Sequence, residues 1–243
     1  MVERIPLGIK NFDRLVEGGL PKGSATLIAG TPGTGKSIFC LQALYYNAMK
    51  GRTCLYVSFE QSAEEIKEQM RQFGWEFEKS QPHFKLLATD YNDPTFFTQL
   101  MTEVKVRKFD MIAIDSLASV IIDPFEVFGS PDFGMAKLLK AGNILPMDMS
   151  TLGRLKVKKI IELVKASGAT TLLVGEVVKD QTGRSMSRDQ VSDFLSDAVI
   201  LLQHNPTAGA TNRTLTLEKM RLTSIDDLIH PMQITQNGIE IKG

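Results

Sequence analysis

The segment with the clearest chemical signature is a glycine-rich stretch that ends in a lysine and a serine. It reads Gly30-Thr-Pro-Gly-Thr-Gly-Lys36-Ser37 and fits the pattern G-x-x-x-x-G-K-[ST]. In this pattern the backbone N–H groups surround a polyphosphate, the lysine reaches the β- and γ-phosphates, and the hydroxyl ligates Mg²⁺. The candidate phosphate-binding residues are Gly30, Thr31, Pro32, Gly33, Thr34, Gly35, Lys36 and Ser37.

Carboxylates follow several of the apolar runs. Asp115 and Glu60 each end a run of this kind, and the carboxyl ends of parallel strands meet at the edge of the sheet where ligands bind. Asp115 is therefore a candidate metal ligand, and Glu60 is a candidate general base that takes a proton from water. Gln61 can orient the same water but cannot accept its proton. Glu176 is a third carboxylate expected at this edge, and we expect no catalytic part for it.

The elements that must position these residues alternate between β-branched runs and helical segments. This alternation predicts an α/β fold with a mostly parallel central sheet and helices on both of its faces. Ser62 and Glu65 form a predicted capping box at the start of one helix. The predicted strands are Ala25–Ala29, Cys54–Phe59, Phe84–Ala88, Met111–Ile114 and Thr170–Val174, and the predicted helices cover about 36–50, 62–73, 95–106 and 155–166.

Beyond Asp197 the pattern changes to strands without helices between them, which predicts antiparallel pairing. The runs are Ala198–Gln203, Arg213–Glu218 and Met232–Thr235, and Asn237-Gly238 is predicted to form a hairpin turn before a short last strand. We expect one domain over residues 1–243. Residues 123–152, with three prolines, are predicted to be a mobile loop insertion packed on a neighbouring subunit; a loop that binds a partner or a polymer is the alternative.

The composition excludes several classes of protein. The 28 Lys+Arg balance the 28 Asp+Glu, so net charge does not drive non-specific binding to nucleic acid. Two cysteines, each within an apolar segment, are typical of buried thiols in a reducing compartment. No uncharged apolar run approaches the roughly 20 residues of a membrane span. We expect a cytoplasmic protein that does not bind membranes.

Several blocks beyond the phosphate-binding loop resemble KaiC-type domains of the RecA superfamily. They are Leu7-Gly-Ile, Phe12-Asp-Arg-Leu15, Gly18-Gly-Leu-Pro-Lys-Gly23, Val57-Ser-Phe-Glu60, Phe73-Gly-Trp75, Ile114-Asp-Ser116 and Ser196-Asp-Ala-Val-Ile-Leu201. The resemblance covers nearly the whole chain apart from 123–152 and indicates a single domain of this kind. It implies a RecA-like core that assembles into a homo-oligomeric ring, commonly a hexamer, with ATP and Mg²⁺ between adjacent subunits.

The same resemblance implies that a Lys-x-Arg pair enters the neighbouring subunit's site and contacts the γ-phosphate. Here the pair is Lys219 and Arg221, and Thr223 matches a further nucleotide-facing position. Residues two apart lie on one face of a strand, as such a pair requires, and we place both in a strand Thr214–Arg221. An arginine supplied to developing phosphate charge accelerates hydrolysis by roughly 10³–10⁵. Without the resemblance, the residues alone favour a different interpretation, in which these two cations lie on a solvent-exposed strand face.

Three positions depart from the family pattern. Gln61 stands where a second Glu is common in the family. If that second carboxylate is the general base, ATP hydrolysis by this chain is strongly impaired. Asp193-Phe194 stands where one clock domain carries phosphorylated Ser-Thr, so autophosphorylation there is excluded. Leu222 and Ile225 replace a small and a polar residue, which leaves the contacts to the nucleotide's base and ribose open.

These patterns favour a slow ATPase whose cycle changes the conformation of the ring, in a regulatory or signalling role. A DNA motor of the recombinase or helicase type is the first alternative, because the segment Val178–Gln190 contains Lys179, Arg184 and Arg188. Its surplus of a single positive charge gives DNA binding little support. A scaffold ring that binds ATP without hydrolysing it is the second alternative, and Gln61 is its one argument. A monomeric small-molecule kinase is least favoured.

Overall fold

A computed structural model describes residues 2–88, 96–122, 149–179, 185–207 and 210–242. Most of the predicted insertion, residues 123–148, lies outside the described residues. Its last residues belong to a helix that begins at Met149. The prediction that 1–243 forms a single domain stays a prediction.

Twelve strands are described. They are β1 (Arg4–Ile5), β2 (Leu20–Pro21), β3 (Ala25–Gly30), β4 (Cys54–Ser58), β5 (Phe84–Ala88), β6 (Met111–Asp115), β7 (Thr170–Lys179), β8 (Ser185–Ser187), β9 (Ala198–Thr207), β10 (Ala210–Met220), β11 (His230–Thr235) and β12 (Gly238–Ile241).

Eight helices are described. They are α1 (Phe12–Leu15), α2 (Lys36–Met49), α3 (Ala63–Gln72), α4 (Phe77–Ser80), α5 (Phe96–Val106), α6 (Leu117–Ile122), α7 (Met149–Ser167) and α8 (Ser192–Leu195). Among the described residues, no helix combines the length and the apolar character needed to cross a bilayer.

The central sheet has the strand order β12-β11-β10-β9-β3-β7-β6-β4-β5. The six strands from β9 to β5 in this order are parallel, whereas β10, β11 and β12 pair antiparallel. β8 pairs antiparallel with β7, and β1 and β2 form a separate two-stranded ribbon. The predicted mostly parallel sheet with antiparallel C-terminal strands is therefore confirmed, although β9 itself is parallel to β3.

Helices cover both faces of this sheet, as predicted. Successive residues of β3 point to opposite faces, so that Ile28 packs in a core with α2 and α3 while Leu27 packs in a core with α5 and α7. Every residue of β3, β4 and β6 is buried. Buried strands of this kind hold their ends rigidly, and the residues that follow them inherit fixed positions.

The local sequence signals are borne out with small changes of boundary. Ser62 and Glu65 form a reciprocal capping box at the start of α3. The β11–β12 hairpin exists, but Thr235 pairs with Gly238, so its turn is Gln236-Asn237, one residue earlier than predicted. β7 continues five residues beyond its predicted end at Val174, to Lys179, because β8 pairs with that extension.

We expect Phe39→Ala to lower the free energy of unfolding by about 3–5 kcal/mol, since the removed ring leaves a cavity in the core. Phe39 is fully buried on α2 and packs edge-on against Phe12 with 5.3 Å between ring centroids. Met49, which ends the same helix and is 49% exposed, supplies the control Met49→Ala, with almost no loss expected. Urea denaturation measures both changes, and equal losses would contradict this description of the core.

Candidate functional site

The glycine-rich loop connects the end of β3 to the start of α2 in a conformation that its glycines permit. Gly33 and Gly35 have φ angles of 79° and 104°, a region that residues with a side chain rarely adopt. Gly35 is the N-cap of α2 and has no side chain with which to cap it. The N–H groups of the first helical turn are therefore available to an anion, and the helix dipole favours negative charge there.

Lys36 lies at the first position of α2 with its ammonium folded over the loop. Its Nζ donates to the carbonyl of Thr31 at 3.0 Å, and the Thr34 hydroxyl donates to the same carbonyl at 2.9 Å. Burial lowers the pKa of Lys36, although the carboxylates of Asp115, Glu176 and Glu60 act to raise it. The position is thus a partly desolvated cation facing three acidic side chains, and a bound polyphosphate would contact it directly.

Asp115, the last residue of β6, lies beside the hydroxyl that follows Lys36. The Ser37 hydroxyl is hydrogen-bonded to the Asp115 carboxylate, and the Tyr56 hydroxyl donates to its Oδ2. Burial raises the pKa of Asp115, while the bonds from Ser37 and Tyr56 oppose that shift. A carboxylate and a hydroxyl in contact are the hard oxygen donors that Mg²⁺ prefers, so this pair fits the predicted metal.

Glu60 follows β4 and is held by two serines beyond the end of β6, one directly after that strand and one in α6. Ser116 and Ser119 both donate their hydroxyls to Glu60 Oε1, the latter at 2.6 Å. The backbone keeps the two candidate carboxylates adjacent, because Phe59 N–H donates to the Asp115 carbonyl at 2.7 Å. Glu60 is exposed, so that water reaches its carboxylate, as a general base requires.

Strand order explains why residues far apart in sequence meet here. β7, β6 and β4 follow β3 across the sheet, so the carboxyl ends of all four lie along one edge. In register, Gly30 pairs with Glu176 and Ser58 pairs with Asp115. The predicted meeting of these residues at one edge is therefore found.

Glu176 differs from the prediction in one respect. It lies inside β7, not after its end, and its Oε2 accepts from Arg188 Nη1 at 2.6 Å. The Arg188 N–H also donates to the Glu176 carbonyl at 2.8 Å. The edge of the sheet that carries the glycine-rich loop, Asp115 and Glu60 is called the nucleotide edge below. Glu176 thus connects this edge to the segment that leads into α8.

Lys219 and Arg221 lie at the opposite edge of the sheet. β10 is antiparallel to β9, and Met220 pairs with Ala198, which in turn pairs with Thr26 near the start of β3. Gly30 is four residues further along β3, about 13 Å away at 3.3 Å per residue. Within one chain these two cations therefore cannot contact a nucleotide bound to the glycine-rich loop.

The predicted strand Thr214–Arg221 is wrong at its end. β10 stops at Met220, and a bulge at Glu218 shifts its register between Leu217 and Lys219. Both cations nevertheless reach the same segment, the end of α8 and the residues after it. Lys219 Nζ donates to the Ser196 carbonyl at 2.6 Å, and Arg221 Nη1 donates to Asp197 Oδ1 at 3.0 Å.

Thr223 follows two residues later on the same side of the molecule. Its Oγ1 accepts a hydrogen bond of 2.9 Å from Arg4 Nη1. Thr223 is accordingly grouped with Arg221 and not with the glycine-rich loop.

Sequence reasoning missed the groups that hold the candidate carboxylates in place. Ser58 Oγ accepts from the N–H groups of Glu60 and Gln61, at 3.3 and 2.9 Å. Tyr56 and Ser58 alternate with apolar residues along β4, and this period of two is the signal that could have placed both on one face. Ser116 and Ser119 are one helical turn apart, which was a signal for a shared direction. Asp197, which accepts from Arg221, carried no signal beyond its place in a family block.

Comparisons with known proteins agree with this geometry. The family described as "ATPase: KaiC" matches residues 5–243. The circadian clock oscillator protein KaiC of Synechococcus elongatus is 29% identical over 239 residues, which cover 96% of this chain and 43% of that protein. The chain thus spans less than half the length of this relative.

Two relatives of about the same length as this chain come from archaea. The UPF0273 protein MJ1359 of Methanocaldococcus jannaschii is 28% identical over 246 residues, which cover 98% of this chain and 96% of that protein. The crystal structure of the KaiC-like protein PH0186 from Pyrococcus horikoshii superposes over 100% of both chains with a TM-score of 0.80 and 26% identity. These similarities show the fold and the family.

We expect Asp197→Asn to lower stability at neutral pH by about 1–3 kcal/mol, the usual worth of hydrogen bonds to a charged group. Burial acts to raise the pKa of Asp197, but bonds from Ala25 N–H, Lys165 and Arg221 outweigh it and hold the pKa below 3.8. A depressed carboxyl pKa stabilises the fold above the unfolded value and loses that effect as pH falls through the folded value.

The difference in unfolding free energy between Asp197→Asn and the parent should therefore be constant from pH 7 to about pH 5 and shrink below the unfolded value of 3.8. Glu68→Gln, which removes an exposed carboxylate paired with Arg71, is the control, with little change expected at any pH. A difference for Asp197→Asn that does not depend on pH would contradict the prediction.

Proposed function

The chain belongs to the KaiC family of ATPases, and from that premise we propose that it hydrolyses ATP at sites shared between adjacent copies of itself. One observation carries the proposal. Lys36, Asp115 and Glu60 lie at one edge of the sheet, whereas Lys219 and Arg221 lie at the other. A single chain thus holds the phosphate-binding half of a site and, separately, the cationic half of another.

The proposed division of labour follows from the contacts of each residue. The loop N–H groups and Lys36 bind the phosphates, and Ser37 and Asp115 hold Mg²⁺. Mg²⁺ bound there would neutralise charge on the β- and γ-phosphates. Glu60 orients a water molecule and takes its proton, with Ser116 and Ser119 fixing the carboxylate. Arg221 and Lys219 of the adjacent copy stabilise the charge that develops on the transferring phosphoryl group.

Exposed apolar residues around Arg221 support the contact with a second copy. Leu222, Leu228 and Ile229 are exposed large apolar side chains close to it in sequence, and Phe194 is exposed beside the carbonyls that Lys219 contacts. Exposed apolar side chains of this kind become buried when they lie in a contact between copies, as the proposal requires. Because each copy presents one half-site at each edge, the contacts are head-to-tail, an arrangement that forms a ring when the rotation between copies closes. We propose a hexamer with a regulatory or signalling role, as in the resemblance drawn from the sequence.

Among the described residues, no contact specifically favours a DNA motor or an ATP-binding scaffold, the two alternatives drawn from the sequence. Of the cations that favoured a DNA motor, Arg188 is paired with Glu176, and Arg184 lies outside the described residues. The ATP-binding scaffold that Gln61 favoured predicts no phosphate release. ATP turnover by the unmodified chain, with no stimulation by single-stranded DNA, would remove both alternatives.

We expect Arg221→Ala to bind ATP normally while its hydrolysis rate falls by roughly 10³-fold or more, since the arginine acts on developing charge only. Lys36→Ala should lose both binding and turnover, because it removes the cation that the phosphates contact. Binding of a fluorescent ATP analogue and release of phosphate separate the two effects. Arg71→Ala, on the surface of α3, is the control for loss of an arginine. Weakened binding in Arg221→Ala would contradict a role restricted to hydrolysis.

Glu60→Gln should retain binding and lose about 10²–10⁴-fold in hydrolysis rate, the usual contribution of a general base. Glutamine has the size of glutamate and accepts the two serine hydroxyls through its amide oxygen, but it cannot take a proton. Gln61→Ala is the matched neighbour, with a smaller loss expected because Gln61 only orients water. If the two variants hydrolyse ATP equally well, Glu60 is not the base.

A further inference from the structure

The guanidinium of Arg4 joins the N-terminal ribbon to the residues directly after Arg221. Arg4 Nη2 donates to the Leu222 carbonyl and Nη1 donates to Thr223 Oγ1, each at 2.9 Å. Nη1 also donates to the Gly19 carbonyl at 3.2 Å. The residues it connects are 218 and 219 positions apart in sequence, so this contact belongs to the tertiary structure alone.

Glu17 completes the arrangement from the same N-terminal region. Its Oε2 forms an ion pair with Arg4, and its Oε1 accepts from Ser224 N–H at 3.2 Å. Arg4 and Glu17, together called the clamp, thus hold three consecutive residues, 222–224. The Arg4 side chain is 13% exposed; its bonds to Gly19 and Thr223 are partly buried, whereas those to Glu17 and the Leu222 carbonyl lie at the surface.

The backbone that the clamp holds is in an unfavourable conformation. Leu222 has a φ of 60°, in the left-handed region that leucine rarely adopts. Its side chain is 72% exposed, so packing of that side chain does not hold it there. Conformations of this kind are unfavourable and persist only where the surroundings impose them. The hydrogen bond from Arg4 to the Leu222 carbonyl is the contact in place to impose this one.

Arg221 is therefore held from both sides. Its own N–H donates to the Asp197 carbonyl at 3.0 Å, and the residue after it is fixed by the clamp. Asp197 Oδ1 accepts from the Arg221 guanidinium at 3.0 Å, and the clamp fixes the backbone directly after Arg221. Since a rotation at Leu222 would redirect the chain next to Arg221, the clamp contributes to the position of the Arg221 guanidinium. Small displacements of a catalytic group cost orders of magnitude in rate.

We propose that Arg4 is a positioning residue for catalysis: it presents Arg221 to the ATP bound by the adjacent copy and does not itself contact that nucleotide. This inference rests on the proposed function, because it needs Arg221 to act between copies. An arginine suits the task because its planar fork serves several acceptors at once, whereas a lysine ammonium is a point charge.

The test uses Arg4→Lys in the assembled protein. We expect its hydrolysis rate to fall at least 10-fold while KM and the binding of a fluorescent ATP analogue change less than twofold. Lys22→Gln is the matched control on the same ribbon, since Lys22 makes an exposed ion pair with Glu3, and it should hydrolyse ATP at the parent rate. An unchanged rate in Arg4→Lys overturns the proposal.

Mixed assemblies separate positioning from a general loss of structure. Lys36→Ala copies cannot bind phosphate but carry an intact Arg221, so mixing them with Arg4→Lys copies should restore activity. In an equal mixture we expect roughly a quarter of the parent activity, since half of the glycine-rich loops are intact and half of those adjoin an intact Arg221. No recovery would mean that Arg4→Lys damages its own nucleotide site, which overturns the proposal.

Arg221→Ala mixed with Lys36→Ala tests the underlying function separately. If that mixture gains no activity, the shared site itself is wrong. If it recovers and the Arg4→Lys mixture does not, only the role of Arg4 is wrong. Glu17→Gln, which weakens the clamp from its other side, should behave as Arg4→Lys does and decides the matter if Arg4→Lys does not assemble.

Discussion

The direction of the strands determines where the candidate site residues of this molecule lie. Six parallel strands place all their carboxyl ends along one edge, and the antiparallel β10 returns to the other edge. The carboxylates and the glycine-rich loop thus gather at one side, and the pair Lys219 and Arg221 at the other. About 13 Å of buried strand separates the two sides, and no loop movement within one chain shortens it. The proposed sharing of sites between copies follows from this polarity.

The nucleotide edge carries an electrostatic cost. Burial lowers the pKa of Lys36 and raises the pKa of Asp115, so the fold disfavours both charges. A polyphosphate and a divalent cation bring the opposite charges to these two positions. Bound phosphate and metal would therefore stabilise the charged forms of Lys36 and Asp115. This is expected at a binding site, where the folded chain loses some stability in order to bind its ligand.

The other edge depends on a region too small to be stable alone. The ribbon of β1 and β2 has two residues in each strand, and side chains of α1 and α2 hold the residues that follow β1. Asp13 accepts from the N–H groups of Leu7 and Gly8, and Asn47 of α2 donates to the Pro6 carbonyl. Once attached, the ribbon presents Arg4 to the backbone beyond Arg221. In the proposed assembly, this short N-terminal region positions a catalytic candidate that is distant in sequence.

The sequence by itself determined the nine strands in the main order of the central sheet, the four longest described helices and the residues with local signals. The loop geometry around Gly33, the capping box of Ser62 and the placement of Asp115 and Glu60 at strand ends all follow from steric rules and short periodicities. The bulge at Glu218, the extension of β7 and the partners of Tyr56 and Arg4 were decided by the tertiary structure alone. The reason is physical: a steric preference acts over a few residues, whereas a side-chain contact across the sheet depends on strand order and register.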